Sequence, residues 1–413
     1  MAIDWVWLLM GACAVFALGW IASRFDFLQL KLENQRNPKA YFQGLNFLLN
    51  EQQDQAIDSF IEAVQQDPDT SELHFALGNL FRRRGEFERA VRVHQHLLAR
   101  ADLSSKDRHR AMFDLAQDYL RAGIIDRAEN ALKDLEGTQM EGQAMLALLN
   151  LYERSRDWEQ AAQIARRLQK LGEGDFSARL AHYLCEQAAA LEGIDPKAAQ
   201  IMIEGAIEYA PNHARAKIAL AQLLHLQGQT PKAFEIIKRI FIESPRFAGL
   251  GAPLIAKFSI ELEKIDVALE LLNQSYQNKP RLDVLEAIID LNSKRSPDLN
   301  NSNQNTYSYS NSATDSFPNA NANANANAKA TQSLYSAHLQ RTPSLIAVTQ
   351  WLKGETFSDD DTKKSILQTL NKSSTPLKRY RCAACGFEAL THFWQCPGCQ
   401  SWDSYPPEKI EEL

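Results

Sequence analysis

Apolar side chains recur along most of this chain at three- and four-residue intervals, the spacing that puts them on one face of a helix. Between Ser71 and Ser104 the pattern is easiest to follow. Leu73, Leu77 and Leu80 form one stripe, Arg84-Gly85 breaks it, and Phe87, Ala90, Val91, Val93, Leu97 and Leu98 resume it. Two amphipathic helices joined by a tight turn are predicted. Gly78 and Ala90 are small where the two helices would cross, and side-chain size at a crossing sets how closely helices pack.

The small residue returns along the chain. Ala56, Ala128, Ala161, Ala198, Ala233 and Ala268 align with Ala90, and twelve positions earlier stand Gly44, Gly78, Ala116, Leu149, Glu186, Ala221 and Ala256. Gly85, Gly123, Gly193 and Gly228 fall five residues before the alanine, where the turn is expected. Pro68, Pro211, Pro245 and Pro280 follow it, where the second helix is expected to stop. Alanine, glycine turn and proline stop together are the signature of the tetratricopeptide repeat. The array is expected over residues 39–295. An Asn/Ala/Ser-rich insert at 296–330, including NANANANANA, reads as disordered, and degenerate last repeats are expected over 331–372. Gly249-Leu250-Gly251, followed by Pro253, reads as a loop between repeats.

Composition adds little, with 45% hydrophobic and 23% charged residues, and the net charge of -6 gives no global reason to expect nucleic acid. Trp5 to Ser23 carries no charge over roughly 28 Å of helix, enough to cross a bilayer core. A transmembrane anchor at 1–23 and a juxtamembrane spacer at 24–38 are expected. A cleaved signal peptide is the rival, but the n-region MAID has no basic residue and the apolar run is too long. Arg24, Lys31, Arg36 and Lys39 all follow the span, so the positive-inside rule puts the bulk of the chain in the cytoplasm.

No phosphate-binding loop, zincin, nucleophile-elbow or complete dinucleotide motif occurs, so no enzyme is expected. On the first helix of the seven repeats, Leu45, Asn79, Gln117, Asn150, Gln187, Gln222 and Lys257 follow the crossing position, with Arg82, Arg83, Arg121 and Arg154 one turn further on. Carboxamides can bond a peptide backbone and arginine a carboxylate, so these residues are candidates for a groove taking an extended or acidic segment. The alternative is an ordinary solvated surface.

Tyr380 to Tyr405 carries the remaining chemistry. Cys382-x-x-Cys385 and Cys396-x-x-Cys399 set four thiolates on two facing turns, as one tetrahedral metal ion, Fe or Zn, requires. Gly386 frees a positive φ beside the first pair and Pro397-Gly398 bends the second, while Tyr380, Phe387, Phe393, Trp394 and Trp402 can shield the site. Disulfides are the other reading, disfavoured in a cytoplasmic chain. Lys378, Arg379 and Arg381 are too few for a nucleic-acid surface.

Taken together, YFQGLNFLLNEQQDQAI, LGNLFRRRGEFERAVRVHQ and the terminal RYRCAACGFEALTHFWQCPGCQSW resemble the lipopolysaccharide assembly protein B family of Gram-negative bacteria. The resemblance implies an all-α chain with an N-terminal transmembrane helix, a tetratricopeptide α-solenoid and a small rubredoxin-like metal-binding domain, here 380–407. It implies a single-pass inner-membrane adaptor facing the cytoplasm. With a membrane-bound AAA metalloprotease, such adaptors promote degradation of the deacetylase that commits carbon to lipid A, and an inner-membrane anti-adaptor restrains them. The family cysteines correspond to Cys382, Cys385, Cys396 and Cys399. A rubredoxin-type electron carrier positioned by the repeats is the alternative function.

Overall fold

A computed structural model describes residues 16, 19–20, 39–66, 70–295 and 320–413. The spacer at 24–38 and all but Phe16, Gly19 and Trp20 of Trp5–Ser23 lie outside the described residues, and so does the insert from 296 to 319. Among the described residues no helix is long and apolar enough to cross a membrane. The chain falls into two compact units, residues 1–151 and 152–413, each built from helical hairpins.

In the first unit the hairpins are α1 (Lys39–Leu49) with α2 (Gln53–Gln66), α3 (Ser71–Arg84) with α4 (Phe87–Ala99), and α5 (Ser105–Ala122) with α6 (Ile125–Lys133). Helix α7 (Glu141–Ser155) runs from the first unit into the second. The second unit continues with α8 (Trp158–Leu171), α9 (Ser177–Leu191), α10 (Pro196–Tyr209), α11 (Ala214–Leu226) and α12 (Thr230–Glu243). Then come α13 (Ala248–Glu261), α14 (Ile265–Asn278), α15 (Leu282–Lys294), α16 (Ala320–Arg341), α17 (Leu345–Lys353) and α18 (Asp360–Ser374). A two-stranded antiparallel ribbon of β1 (Tyr380–Arg381) and β2 (Glu388–Ala389) opens the terminal module.

Six of the seven aligned alanines, Ala56, Ala90, Ala128, Ala161, Ala233 and Ala268, are fully buried. The seventh is corrected by one position: Ala198 is half-exposed and Ala199 takes the buried place. Helix α10 begins three residues before Ala199, just as α4 begins three residues before Ala90. Asp195 sets that start, because its carboxylate caps the Lys197 and Ala198 amides with Pro196 in the first turn. Gly193 therefore is not the turn glycine, and Glu186 faces outward to pair with Arg215 at 2.8 Å.

The other six hairpins share one turn geometry, with a left-handed residue five positions before the alanine. Gly85, Gly123 and Gly228 occupy it at φ of 85°, 76° and 76°, and Glu51, Arg156 and Glu263 occupy it at 58°, 59° and 54°. In each the following amide reaches back to the carbonyl five residues before the left-handed residue's successor, as from Glu86 to Phe81 and from Asp157 to Tyr152, both at 2.9 Å. That is the Schellman closure, which satisfies carbonyls a helix end leaves open.

Two further expectations are corrected. Gly249-Leu250-Gly251 is no loop but lies in the first turn of α13, with Pro253 inside the helix in its second turn, where the ring removes the bond to the Gly249 carbonyl. A Cβ on Gly251 would make only an ordinary contact with the Phe241 ring, at 3.4 Å. Residues 320–330, read as disordered, are helical as the first part of α16. Alanine at alternate positions is the best helix former, so a helix held by its packed half, Leu334 and Tyr335 among others, extends backwards through them. Within residues 331–372, where degenerate last repeats are expected, lie the rest of α16, α17 and most of α18.

Gly78 is small for a specific neighbour: a Cβ there would stand 2.5 Å from the His94 ring. Gly78→Ala should therefore cost about 2–3 kcal/mol in denaturant unfolding. Arg156→Gly and Glu263→Gly should each gain about 0.5–1 kcal/mol in the same measurement, because glycine removes the left-handed penalty of a side chain.

Candidate metal centre and its docking surface

Two tight knuckles bring the four cysteines together. The Cys382 amide donates to the Phe387 carbonyl and the Gly386 amide to the Cys382 carbonyl, each at 2.9 Å, which curls Cys382 to Cys385 inward. The Cys396 and Gln400 amides repeat this with the Ser401 and Cys396 carbonyls at 2.9 and 2.8 Å. Gly386 takes the expected positive φ of 78°. In the second knuckle that role belongs to Gln400, at φ of 62°, and not to Pro397-Gly398. Gly398 is needed for another reason, since a Cβ there would crowd Phe387 Cδ2 at 3.3 Å.

All four sulfurs lie within 4.8 Å of one another. Cys382 and Cys399 are 3.8 Å apart, Cys385 and Cys396 3.7 Å. A tetrahedral ion with metal–sulfur bonds of about 2.3 Å needs sulfurs about 3.8 Å apart, whereas a disulfide needs about 2 Å. The donor set fits one metal ion. Burial alone would push the Cys382 thiol up, but hydrogen bonds from Ser404 and the Cys385 and Ala384 backbones outweigh it and bring it down to about 6. Ser401 holds Cys399 low through its side chain and backbone. The Phe387 amide favours the Cys385 thiolate too, yet the neighbouring sulfurs keep a proton there and raise it to about 12. A cation removes that competition, so loading releases protons.

The aromatic residues divide differently from expectation. Tyr380 does cover the sulfurs, joined by Tyr405, whose hydroxyl donates to the Phe387 carbonyl at 3.1 Å, and by Leu250 of α13. Phe387 and Phe393 are 44% and 36% exposed and give little shelter. Trp394 and Trp402 face the repeats instead. The Trp402 ring stacks on His182 at 4.5 Å between centroids and meets Trp158 and Tyr183 edge-on at 5.8 and 6.0 Å. Its indole N–H donates 3.0 Å to Glu153 Oε1, a buried carboxylate that also accepts from the Tyr183 hydroxyl. Trp394 packs on Phe247 at 5.6 Å, just before α13.

Next to Trp402, His182 Nε2 donates to Asp403 at 2.9 Å, Arg215 approaches His182 Nδ1 at 3.4 Å, and His213 lies edge-on at 4.3 Å. Burial lowers the pKa of His182 despite Asp403, and burial with His182 beside it lowers His213 to about 3. Docking thus favours the neutral form of both rings.

The last residues bind the module to the late helices. Glu408 accepts from Lys279 and Arg281 at 2.8 and 2.9 Å, and Lys409 pairs with Asp283 at 2.5 Å. Glu411 caps α17 through the Leu345 and Ile346 amides, and Glu412 accepts from the Leu282 amide at 2.7 Å. Carboxylates here answer the open amides and positive end of a helix. The run EKIEEL carried no periodic signal that would have marked these roles.

Residues 380–406 match the family described as rubredoxin metal binding domain, and 73–108 and 113–176 match tetratricopeptide repeat families. The sequence is 29% identical over 401 residues, 95% of each chain, to lipopolysaccharide assembly protein B of Escherichia coli strain K12. It is 26% identical over 386 residues, 90% of each chain, to the protein of that name from Haemophilus influenzae strain Rd. The chain is similar to lipopolysaccharide assembly protein B over nearly its whole length.

The candidate groove residues are divided between the two units, Asn79 to Asn150 in the first and Arg154 and Gln222 in the second. Arg82 is spent inside the array, where it bonds Asp114 at 2.8 Å and Asp118 at 2.6 Å, and Asp118 also holds His94 at 2.5 Å. Removing Arg82 would leave a buried carboxylate uncompensated, so it works as a strut between repeats and not as a ligand clamp. Asn79 and Gln117 are half-buried; Arg83, Arg121, Asn150, Arg154 and Gln222 are exposed. Gln222 borders a cavity of about 210 Å³ with Cys185, Arg215 and Trp394, and Asn79 borders another on α3 and α5. Beside the cysteines, Arg379 and Arg381 both pair with Glu388.

Trp402→Ala should lower the stability of the second unit by about 3 kcal/mol, read by thermal unfolding. Docking should also weaken on acidification. Histidines with depressed pKa values contribute stability that is full above about 6.5 and is lost as pH falls toward their docked values. Unfolding midpoints from pH 7.5 to 5 should show this slope, and His182→Gln should flatten it.

Proposed function

We propose that this chain is a membrane-anchored, non-enzymatic adaptor in lipopolysaccharide assembly. It holds the deacetylase of the committed lipid A step against a membrane-bound AAA protease, and an inner-membrane anti-adaptor restrains it. The observation that carries this reading is the use of the metal module's two tryptophans. Trp394 and Trp402 are half-buried and pack their rings against the repeats, so the ion they accompany, iron or zinc, fastens one protein surface to another. Anchoring is supported by the uncharged run Trp5 to Ser23, and a cytoplasmic side for the bulk of the chain is supported by the basic residues after it. An anchored array meets membrane-bound partners at a raised effective concentration.

One observation favours electron transfer instead: Cys385 and Cys399 are exposed, so a redox partner can approach the sulfurs. Replacing Cys382 and Cys385 by Ser separates the two. For the adaptor the deacetylase level should rise in cells and the partners should no longer co-purify with the full chain. A deacetylase level that stays low, with a purified iron form that turns over a reductant, would instead select the electron carrier.

A further inference from the structure

The cavity bordered by Asn79 has a chemistry that the repeat pattern alone does not specify. Lys106, His109, Arg110, Phe113 and Asp114 lie at i, i+3, i+4, i+7 and i+8 on α5, and all five line one cleft of about 440 Å³. The start of α7 and the turn before it close the cleft with Gln139, Met140 and Gln143.

The charges on this face do not cancel. Asp114, the acidic residue of the stripe, is held by Arg82 at 2.8 Å. Arg110 pairs with Glu72, but both side chains are substantially exposed, at 40% and 60%, and such a pair is readily exchanged for another carboxylate. The Arg110 guanidinium lies 4.0 Å over the ring of buried Phe75, which fixes the plane of its donors. Lys106 is exposed at the mouth. Phe113 and Met140 are half-buried and supply an apolar, adaptable surface, while Asn79, Gln139 and Gln143 offer carboxamides that bond an extended backbone on either side.

We infer that this cleft binds an extended protein segment in which one large apolar side chain stands between carboxylates. The apolar side chain lies on Phe113 and Met140, and the carboxylates meet Lys106 and Arg110. This rests on the adaptor reading and gives that reading a recognition chemistry. Charge complementarity selects the occupant, because neither a basic segment nor a purely apolar one answers the cationic rim.

The test uses the full chain in detergent and a fluorescein-labelled peptide, Gly-Asp-Glu-Phe-Glu-Asp-Gly, followed by anisotropy. Binding should weaken as salt is raised. It should fall by roughly tenfold when the peptide's Phe becomes Ala or when Lys106→Glu and Arg110→Glu are combined. Lys106→Glu alone, at an exposed site, should lower affinity without changing the unfolding midpoint, which separates loss of the site from loss of the fold. Affinity that is unchanged in Lys106→Glu, or equal for acidic and lysine-substituted peptides, overturns the proposal. So does a wild-type chain that dimerises and a double variant that does not, which would assign the cleft to a second copy. None of these results alters partner co-purification by the cysteine variants, so the adaptor reading stands or falls separately.

Discussion

Each of the first seven hairpins closes on an alanine that has no exposed surface, or nearly none, and that contact sets the spacing of everything built on it. A larger side chain there would push the two helices apart and strip the neighbouring leucines of their contacts. The turn has to agree with it. Where the residue five positions earlier takes a left-handed conformation, the second helix starts in phase to present its alanine inward. Glu51, Arg156 and Glu263 adopt that conformation despite carrying side chains, so helix packing overrides the local preference of the residue.

The terminal module depends on the repeats as much as on its metal ion. It has one ribbon of two short strands and a cluster of Tyr380, Cys382, Cys396 and Tyr405, too small a core to stand on burial alone. Four thiolates around an ion supply one constraint. Trp402 in its socket, Asp403 on His182 and the carboxylates of the tail supply the others, and these reach helices from α7 to α17. The metal centre and the order of the late helices are therefore coupled through packed aromatic rings and capped helix ends.

Polar residues inside the array serve two distinct purposes. Arg82, Asp114, Asp118 and His94 form a largely buried network that ties neighbouring repeats together, in which Arg82 and His94 Nδ1 answer the carboxylates while His94 Nε2 has no hydrogen-bond partner. Three residues of the same α5 stripe, Lys106, His109 and Arg110, the last in an exposed pair with Glu72, line a cleft. One helix face thus carries both a structural joint and a surface with spare donors.

What the sequence determined was everything with a short period or a local spacing. The helical stripes, the prolines that end α10, α12 and α14, the glycine turns at Gly85, Gly123 and Gly228, and the cysteine quartet all follow from residues close in the chain. The tertiary structure decided which alanine of the pair Ala198 and Ala199 is buried, because a cap at Asp195 shifts the helix by one residue. It also decided that Arg82 is a strut, that Trp402 seats on His182 and Glu153, and that the terminal glutamates cap helices. Trp402 lies 249 residues from Glu153, and Glu412 lies 130 from Leu282. Contacts at such separations leave no periodic trace, since neither partner's neighbours in sequence are neighbours of the other until the chain has folded.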